Sequence, residues 1–292
     1  MKEILEVEPE EAEAAETVDQ SLGKLLSDSG KINNRDVERV LAFAKKKGLR
    51  FGEAAVKLRV LKKADVDHAL AAQFDYPYIR EGDGLFGKEL IAAYKPFTPK
   101  VEALRSLRVQ LMLGSFNSSS NALAIVSPGP GEGRSYIAAN LAVVFSQLGE
   151  RTLLIDAHMQ NPTLHKIFRV EDSPGLSSAL GDRTSGKIRI VNIPQFKNLS
   201  LLPAGARPPN PDELLARDAF AAICSRFGKA FDVALIDTPP GDSSTAADWV
   251  ADRCGKALIV ARRDVTRFED ARTFVTRMRS RAEVVGSVLN QF

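Results

Sequence analysis

Ser127-Pro-Gly-Pro-Gly-Glu-Gly-Arg-Ser135 gathers three glycines, a cation and a hydroxyl in one short stretch. Gly129, Gly131 and Gly133 allow backbone N–H groups to approach phosphate oxygens closely. Arg134 stands where such loops carry the lysine that reaches the terminal phosphates, and Ser135 where their hydroxyl meets Mg²⁺. Pro128 replaces the glycine or small residue that usually opens the pattern. Two carboxylates complete the chemistry. Asp156 ends the apolar run Arg151-Thr-Leu-Leu-Ile-Asp156, and Asp237 ends Phe231-Asp-Val-Ala-Leu-Ile-Asp237. A buried carboxylate is costly without a cation, so two at strand ends point to Mg²⁺, against the plainer alternative of turn-capping aspartates. The candidate nucleotide contacts are Gly129, Pro130, Gly131, Glu132, Gly133, Arg134, Ser135 and Tyr136. The candidate metal groups are Ser135, Asp156 and Asp237.

These residues need rigid elements to hold them. Ala122–Ser127 reads as a buried strand entering the loop, and Tyr136–Gly149 as the helix leaving it, whose N-terminus adds a positive dipole end. Further apolar strands are predicted at Asn198–Pro203, Lys256–Ala261 and Val284–Asn290. Helices are predicted at Pro211–Phe227 and, with a basic face, at Thr266–Arg281. Strands alternating with helices imply an α/β domain with a doubly wound, mostly parallel sheet, and ligand groups at its strand ends.

With these motifs in place the chain resembles the bacterial tyrosine kinases of polysaccharide export, in their stand-alone chain-length determinant form. The family loop reads Pro-Gly-Glu-Gly-Lys-Ser/Thr, matched by Pro130–Ser135 except for the lysine. Its second motif, Ile-Asp-x-Asp-x-Arg, is matched at Asp156, with His158 and Gln160 replacing the later Asp and Arg. Its third, Asp-x-x-Pro, is matched by Asp237–Pro240, and Leu202–Leu215 carries a further signature. The resemblance covers about residues 98–292. It implies ATP or ADP with Mg²⁺, catalytic roles at Arg134, Asp156, His158 and Asp237, and an adenine-side position for Asn290. It also makes Glu102, Arg105 and Arg108, spaced by three on one predicted helix face, a contact between subunits of a homo-oligomeric ring. The plainer reading of that face is a solvated, self-paired helix. The implied partner is a membrane chain-length determinant protein (a polysaccharide co-polymerase) that would recruit a cytoplasmic chain to the inner membrane.

The rest of the chain is organised around this domain. Residues 1–20 are glutamate-rich and read as a mobile acidic tail. Residues 21–79 hold an internal repeat, Ser21–Ile32 aligning with Arg50–Leu61, each unit running on into a helix (Val37–Ala44 and Ala64–Gln73). Asn34 and Lys63 stand before acidic first turns, and Phe74–Tyr78 closes the small helical domain. It resembles the N-terminal domain of type II secretion ATPases, some of which bind cyclic di-GMP. The second unit keeps Arg50 and Gln73, but the first has Ser21 and Ala44, and Arg59 stands where a glycine is expected. The residues therefore favour a packing module over a cyclic di-GMP site. Residues 80–97 read as an interdomain linker, Thr98-Pro99 as a helix start, and Gly114–Asn121 as a loop. His165 is read as structural.

The net charge of +3 is spread along the chain and gives no warrant for a nucleic-acid partner. Cys224 and Cys254 read as small buried residues. No apolar run approaches a membrane span and the acidic N-terminus is no signal peptide, so the reading is soluble and cytoplasmic. Two functions remain open: an ATP-dependent tyrosine kinase, and a nucleotide-binding regulatory subunit without efficient phosphoryl transfer. Arg134, His158 and a C-terminus without the resembled tyrosine cluster weigh for the second. A partitioning-type ATPase is argued against by Leu202–Leu215 and Glu102–Arg108.

Overall fold

The computed structural model describes residues 22–73, 77, 79, 83–116, 121–171, 174–181 and 188–291. The acidic segment 1–20, Ser21, most of Phe74–Tyr78 and residues 117–120 of the Gly114–Asn121 loop lie outside the described residues. The chain divides into two compact units, Met1–Arg80 and Glu81–Phe292.

The first unit is built from α1 (22–28), α2 (Asn34–Lys47), α3 (Phe51–Lys57) and α4 (Lys63–Gln73). The repeat seen in the sequence is the repeat of the core. Leu22 and Phe51, Leu26 and Ala55, Ile32 and Leu61, and Val40 and Ala69 recur at one offset and are all buried in a single cluster. Neither helix pair could bury its apolar face alone. The cap of α2 is Asn33, one residue before the Asn34 expected from the sequence, and its side chain accepts from the Asp36 N–H at 2.8 Å.

The same offset relates Gly30 to Arg59, and both have left-handed backbones, with φ of 68° and 56°. The turn between paired helices demands that conformation, which a side-chain-bearing residue adopts at a cost of about 1–2 kcal/mol. Glycine avoids the cost but loses part of the gain to its own freedom when unfolded. Arg59→Gly is therefore expected to stabilise this unit by roughly 0.5–1 kcal/mol, read as a higher midpoint in urea. An unchanged or lower midpoint would mean that Arg59 compensates through contacts of its own.

The second unit opens with α5 (Ile91–Tyr94) and α6 (Pro99–Gly114). Then come β1 (Ala122–Val126), α7 (Arg134–Gln147), β2 (Thr152–Asp156), α8 (Leu164–Ile167), α9 (Leu176–Gly181), β3 (Val191–Asn192) and β4 (Leu199–Leu202). It continues through α10 (Pro211–Ala216), α11 (Asp218–Ala230), β5 (Val233–Asp237), α12 (Ala246–Cys254), β6 (Lys256–Arg262), α13 (Phe268–Arg279) and β7 (Glu283–Asn290). The sheet runs β3-β4-β2-β5-β1-β6-β7, parallel throughout except for β3 on β4. Every residue of β1, β2 and β5 is buried, as strands covered on both faces must be. Ala124, Val126, Leu153 and Ile236 share a core with Leu215, Phe220, Val250 and Phe274 from α10 to α13. The helix α7 packs on β1, β2 and β5.

Three expectations change. The single helix Pro211–Phe227 is two, because Arg217 takes an extended backbone (φ −70°, ψ 153°) and ends α10 before α11 begins. The antiparallel edge strand β3 had no sequence signal, being two residues long. The described part of 80–97 is no loose linker: it is packed into the α/β unit. Leu90, Ala92 and Ala93 are fully buried. The Ala92 N–H donates to Asn140 Oδ1 at 2.9 Å, and the Gly87 N–H to the Ile167 carbonyl at 2.7 Å. Phe86 stacks on Phe196 and meets Phe168 edge-on, with ring centroids 5.9 and 5.8 Å away. Thr98 precedes α6 as expected, but its hydroxyl turns back to the Lys95 carbonyl (2.9 Å). Cys224 and Cys254 are buried and form no disulfide. Among the described residues no helix is long and apolar enough to cross a membrane.

Candidate functional site

The parallel register sets the site. Asp156 on β2 and Asp237 on β5 are direct neighbours across the sheet, and Asp237 is level with Ile125 of β1, just before the loop. Two carboxylates with no solvent access therefore sit side by side beneath the glycine-rich loop. Burial raises both. Asp156 goes up to about 8, with Asp237's charge adding to burial, and Asp237 to about 6, held lower by the Ser135 hydroxyl and the Arg134 guanidinium.

Their hydrogen bonds differ. The carboxylate of Asp156 accepts from the His158, Thr163 and Leu164 N–H groups at 3.1, 3.2 and 3.1 Å, so it organises the turn after β2. Asp237 accepts from the Ser135 hydroxyl through one oxygen. Its other oxygen is buried without a hydrogen-bond partner among the described residues. An orphaned carboxylate oxygen beside a hydroxyl at the start of α7 suits a divalent cation that takes one or two protein oxygens and completes its shell with phosphate and water.

The loop crosses above them. Gly131 and Gly133 have φ of 71° and 99°, which only glycine adopts freely, and Gly133 caps α7. Arg134 does not project into solvent. Its guanidinium donates to the Thr238 carbonyl (2.9 Å), the Gly129 carbonyl (2.7 Å) and the Ser127 hydroxyl, and it is nearly fully buried. Burial draws it below its usual value, opposed by the charges of Asp237, Glu132 and Asp242. Glu132 is also buried, accepting from the Gly129 N–H at 2.9 Å and from the Thr266 hydroxyl. The Asn290 amide donates to the Glu132 carbonyl at 3.1 Å, and Arg262 to the Gly131 carbonyl at 3.1 Å. The loop is thus tied to β5, β6 and β7 by side chains before any ligand arrives.

A cleft of about 780 Å³ opens beside the loop, lined by Pro130, Gly131, Gly133, Arg134, Ser135 and Tyr136, and on the far side by His158 and Lys166. Burial lifts the Tyr136 phenol above its usual range. His158 moves the other way, to about 4, because burial and the Arg134 charge disfavour the imidazolium. A free imidazole titrates at about 6.5. At about 4 His158 is neutral under physiological conditions and a weaker base than that. His165 lies in α8 with Nδ1 buried, consistent with packing.

The helix face carrying Glu102, Arg105 and Arg108 is on α6, but its charges are largely used at home. Arg105 pairs with Glu102, and the Arg108 guanidinium donates to the Val144 carbonyl of α7 at 2.7 Å.

Sequence reasoning missed Asn140. It has no solvent access, accepts from the Ala92 N–H, and donates to the Glu89 and Tyr136 carbonyls, both at 2.9 Å. It ties the segment before α6 to the first turn of α7. An amide among Ile137-Ala-Ala-Asn-Leu-Ala-Val-Val144, on an otherwise apolar helix, was the available signal. Thr238 and Thr266, which hold Arg134 and Glu132, carried none.

The sheet order, the glycine-rich loop between β1 and α7, and the paired aspartates define a P-loop NTPase fold, shared with the MinD cell division ATPase of Pyrococcus furiosus (TM-score 0.51, 23% identity, 59% of this chain and 72% of that one). Relatives narrow the class. Tyrosine-protein kinase Wzc of Salmonella typhimurium is 34% identical over 204 residues, 69% of this chain and 28% of that protein. Tyrosine-protein kinase YwqD of Bacillus subtilis is 32% identical over 207 residues, 70% of this chain and 86% of that one. The kinase domain of Escherichia coli tyrosine kinase ETK superposes with a TM-score of 0.65 at 27% identity, covering 69% of this chain and 79% of that one. Residues 121–269 match the family described as cellulose biosynthesis protein BcsQ. The chain belongs to the family of bacterial tyrosine kinases. It spans less than a third of the length of the Wzc-type relatives.

Proposed function

We propose that the chain binds ATP or ADP with Mg²⁺ in the cleft beside the loop, and that it controls exopolysaccharide chain length or export through ATP-dependent tyrosine phosphorylation. The observation that carries this reading is the unpartnered oxygen of Asp237 next to the Ser135 hydroxyl, under a loop with left-handed glycines. Ser135 and Asp237 would hold the ion, and Asp156 would fix the turn that carries His158. When bound, Mg²⁺ would neutralise charge on the β- and γ-phosphate oxygens. The chain's own groups then orient rather than react. Loop N–H groups and the N-terminus of α7 cradle the phosphates. Arg134 keeps a fixed positive charge at the loop, and Asp156, through the N–H groups of His158, Thr163 and Leu164, fixes where the imidazole stands in the cleft.

Asp237→Ala should weaken Mg²⁺-dependent ADP binding by roughly tenfold or more, judged by a charge-assisted contact of about 1.5–3 kcal/mol. Calorimetry with and without Mg²⁺ reads this directly, and equal affinity for parent and variant overturns the metal assignment.

A second reading, a nucleotide-binding regulatory subunit with little phosphoryl transfer, is favoured by the arginine committed to its own loop and the imidazole held neutral. In either role a membrane chain-length protein is the partner we propose, recruiting a cytoplasmic chain to the inner membrane. A ring of copies is part of the same proposal.

A further inference from the structure

The cleft beside the loop holds more positive charge than a Mg²⁺-bound nucleotide calls for. Lys88, Lys166, Arg169 and Arg262 line it in addition to Arg134, and Glu89 is the one acidic residue lining it among the described residues. Lys88, Lys166 and Arg169 are exposed, and no ion pair involves any of the three among the described residues. Like charges repel, so a wall of this kind persists only where other forces assemble it.

Backbone hydrogen bonds and ring packing supply those forces. Lys88 belongs to the segment before α5, while Lys166 and Arg169 belong to α8 and the turn after it. The two segments are joined by the Gly87 N–H on the Ile167 carbonyl (2.7 Å), by the Arg169 guanidinium on the Gly84 carbonyl, and by the Phe86–Phe168 edge contact. Arg262 reaches the same cleft from β6, steadied by the Gly131 carbonyl. Cations from three separate parts of the chain are thus fixed around one opening next to Ser135 and His158. Their spread along the wall suits several carboxylates in an extended polypeptide better than a single point anion, which would need convergent donors.

We propose that this wall docks an acidic segment of another protein, the segment that carries the acceptor tyrosine; the tyrosine rests on the phosphoryl-transfer reading above, and the acidic segment on the wall itself. The partner is recognised by carboxylates flanking its tyrosine.

The test uses the full chain with Mg²⁺–ADP and a fluorescent peptide in which one tyrosine is flanked by glutamates. Anisotropy should show binding that weakens steeply with salt, and Lys88→Glu with Lys166→Glu should weaken it by roughly tenfold or more, since each exposed charge contributes only a few-fold and reversal doubles its effect. The ADP affinity of that variant, measured by calorimetry, should fall by clearly less than the peptide's does. The inference falls if the peptide binds parent and variant alike, if a lysine-flanked tyrosine peptide binds as tightly, or if an oligothymidylate of similar length binds more tightly. It falls also if the variant loses ADP in parallel, for then the lysines serve the nucleotide, and that reading stands without this one. Charge-dependent peptide binding in a parent that fails to bind ADP would uphold the wall and sink the nucleotide site instead.

Discussion

Nucleotide-free Asp237→Asn protein is expected to melt well above the parent near pH 8 and close to it near pH 4.5. The carboxyls of Asp156 and Asp237 are both raised from 3.8 by burial, to about 8 and about 6. Folding therefore takes up protons across that window, and ∂ΔG/∂pH is negative. Their contribution is complete at low pH and is lost as pH climbs through about 6 and then about 8. An asparagine keeps an oxygen for the Ser135 hydroxyl and carries no charge to desolvate. Near pH 8 it should gain about 3 kcal/mol, at 1.36 kcal/mol per pKa unit. For a domain of this size that is roughly 6–12 °C in Tm. Mg²⁺–ADP should then raise the parent's Tm by mass action and the variant's by clearly less. Calorimetric melts at the two pH values, with and without ligand, decide the matter. A difference of equal size at both pH values would mean that the pair does not titrate as its burial requires.

The second large effect concerns rate. Arg134→Lys with His158→Asp should raise phosphate release from ATP by roughly tenfold or more, an effect of the size carried by single electrostatic contacts in phosphoryl transfer. The guanidinium is held by two carbonyls and a hydroxyl of its own framework. A lysine makes fewer such bonds and turns more readily toward a phosphate. A carboxylate at 158 replaces an imidazole that is neutral at working pH and restores the family's second acidic position. If the double variant is slower than the parent, Arg134 and His158 are adapted groups and the regulatory reading loses its main support.

Much of this was legible beforehand, for a physical reason. Strands buried on both faces leave continuous apolar runs, so β1, β2 and β5 could be placed from sequence, and a polar residue ending such a run can only be at the strand's end. That located Asp156 and Asp237. The repeat of the first unit was legible because one packing arrangement recurs, down to the left-handed turn that Gly30 and Arg59 share. What escaped notice lacked a local pattern. Whether Asp237 keeps an oxygen free while Asp156 spends its own on a turn depends on where residues 163 and 164 return. The burial of Arg134 depends on Thr238, far along the chain. The helix face of Glu102, Arg105 and Arg108 was placed correctly on α6, yet its spacing could not reveal that Arg108 leans on Val144. The segment before α6 looked like a tether because its turn-rich composition hides Leu90, Ala92, Ala93 and their bonds to Asn140.

That segment changes what counts as a portable module. Anyone grafting this fold onto another protein would be tempted to cut at Thr98, where the first long helix begins. Such a cut would strip the cover from Asn140, Phe168 and Phe196, and leave an amide stranded inside the very helix that the phosphate loop feeds. The transferable piece begins near Glu81, where the second compact unit begins, well before the first long helix.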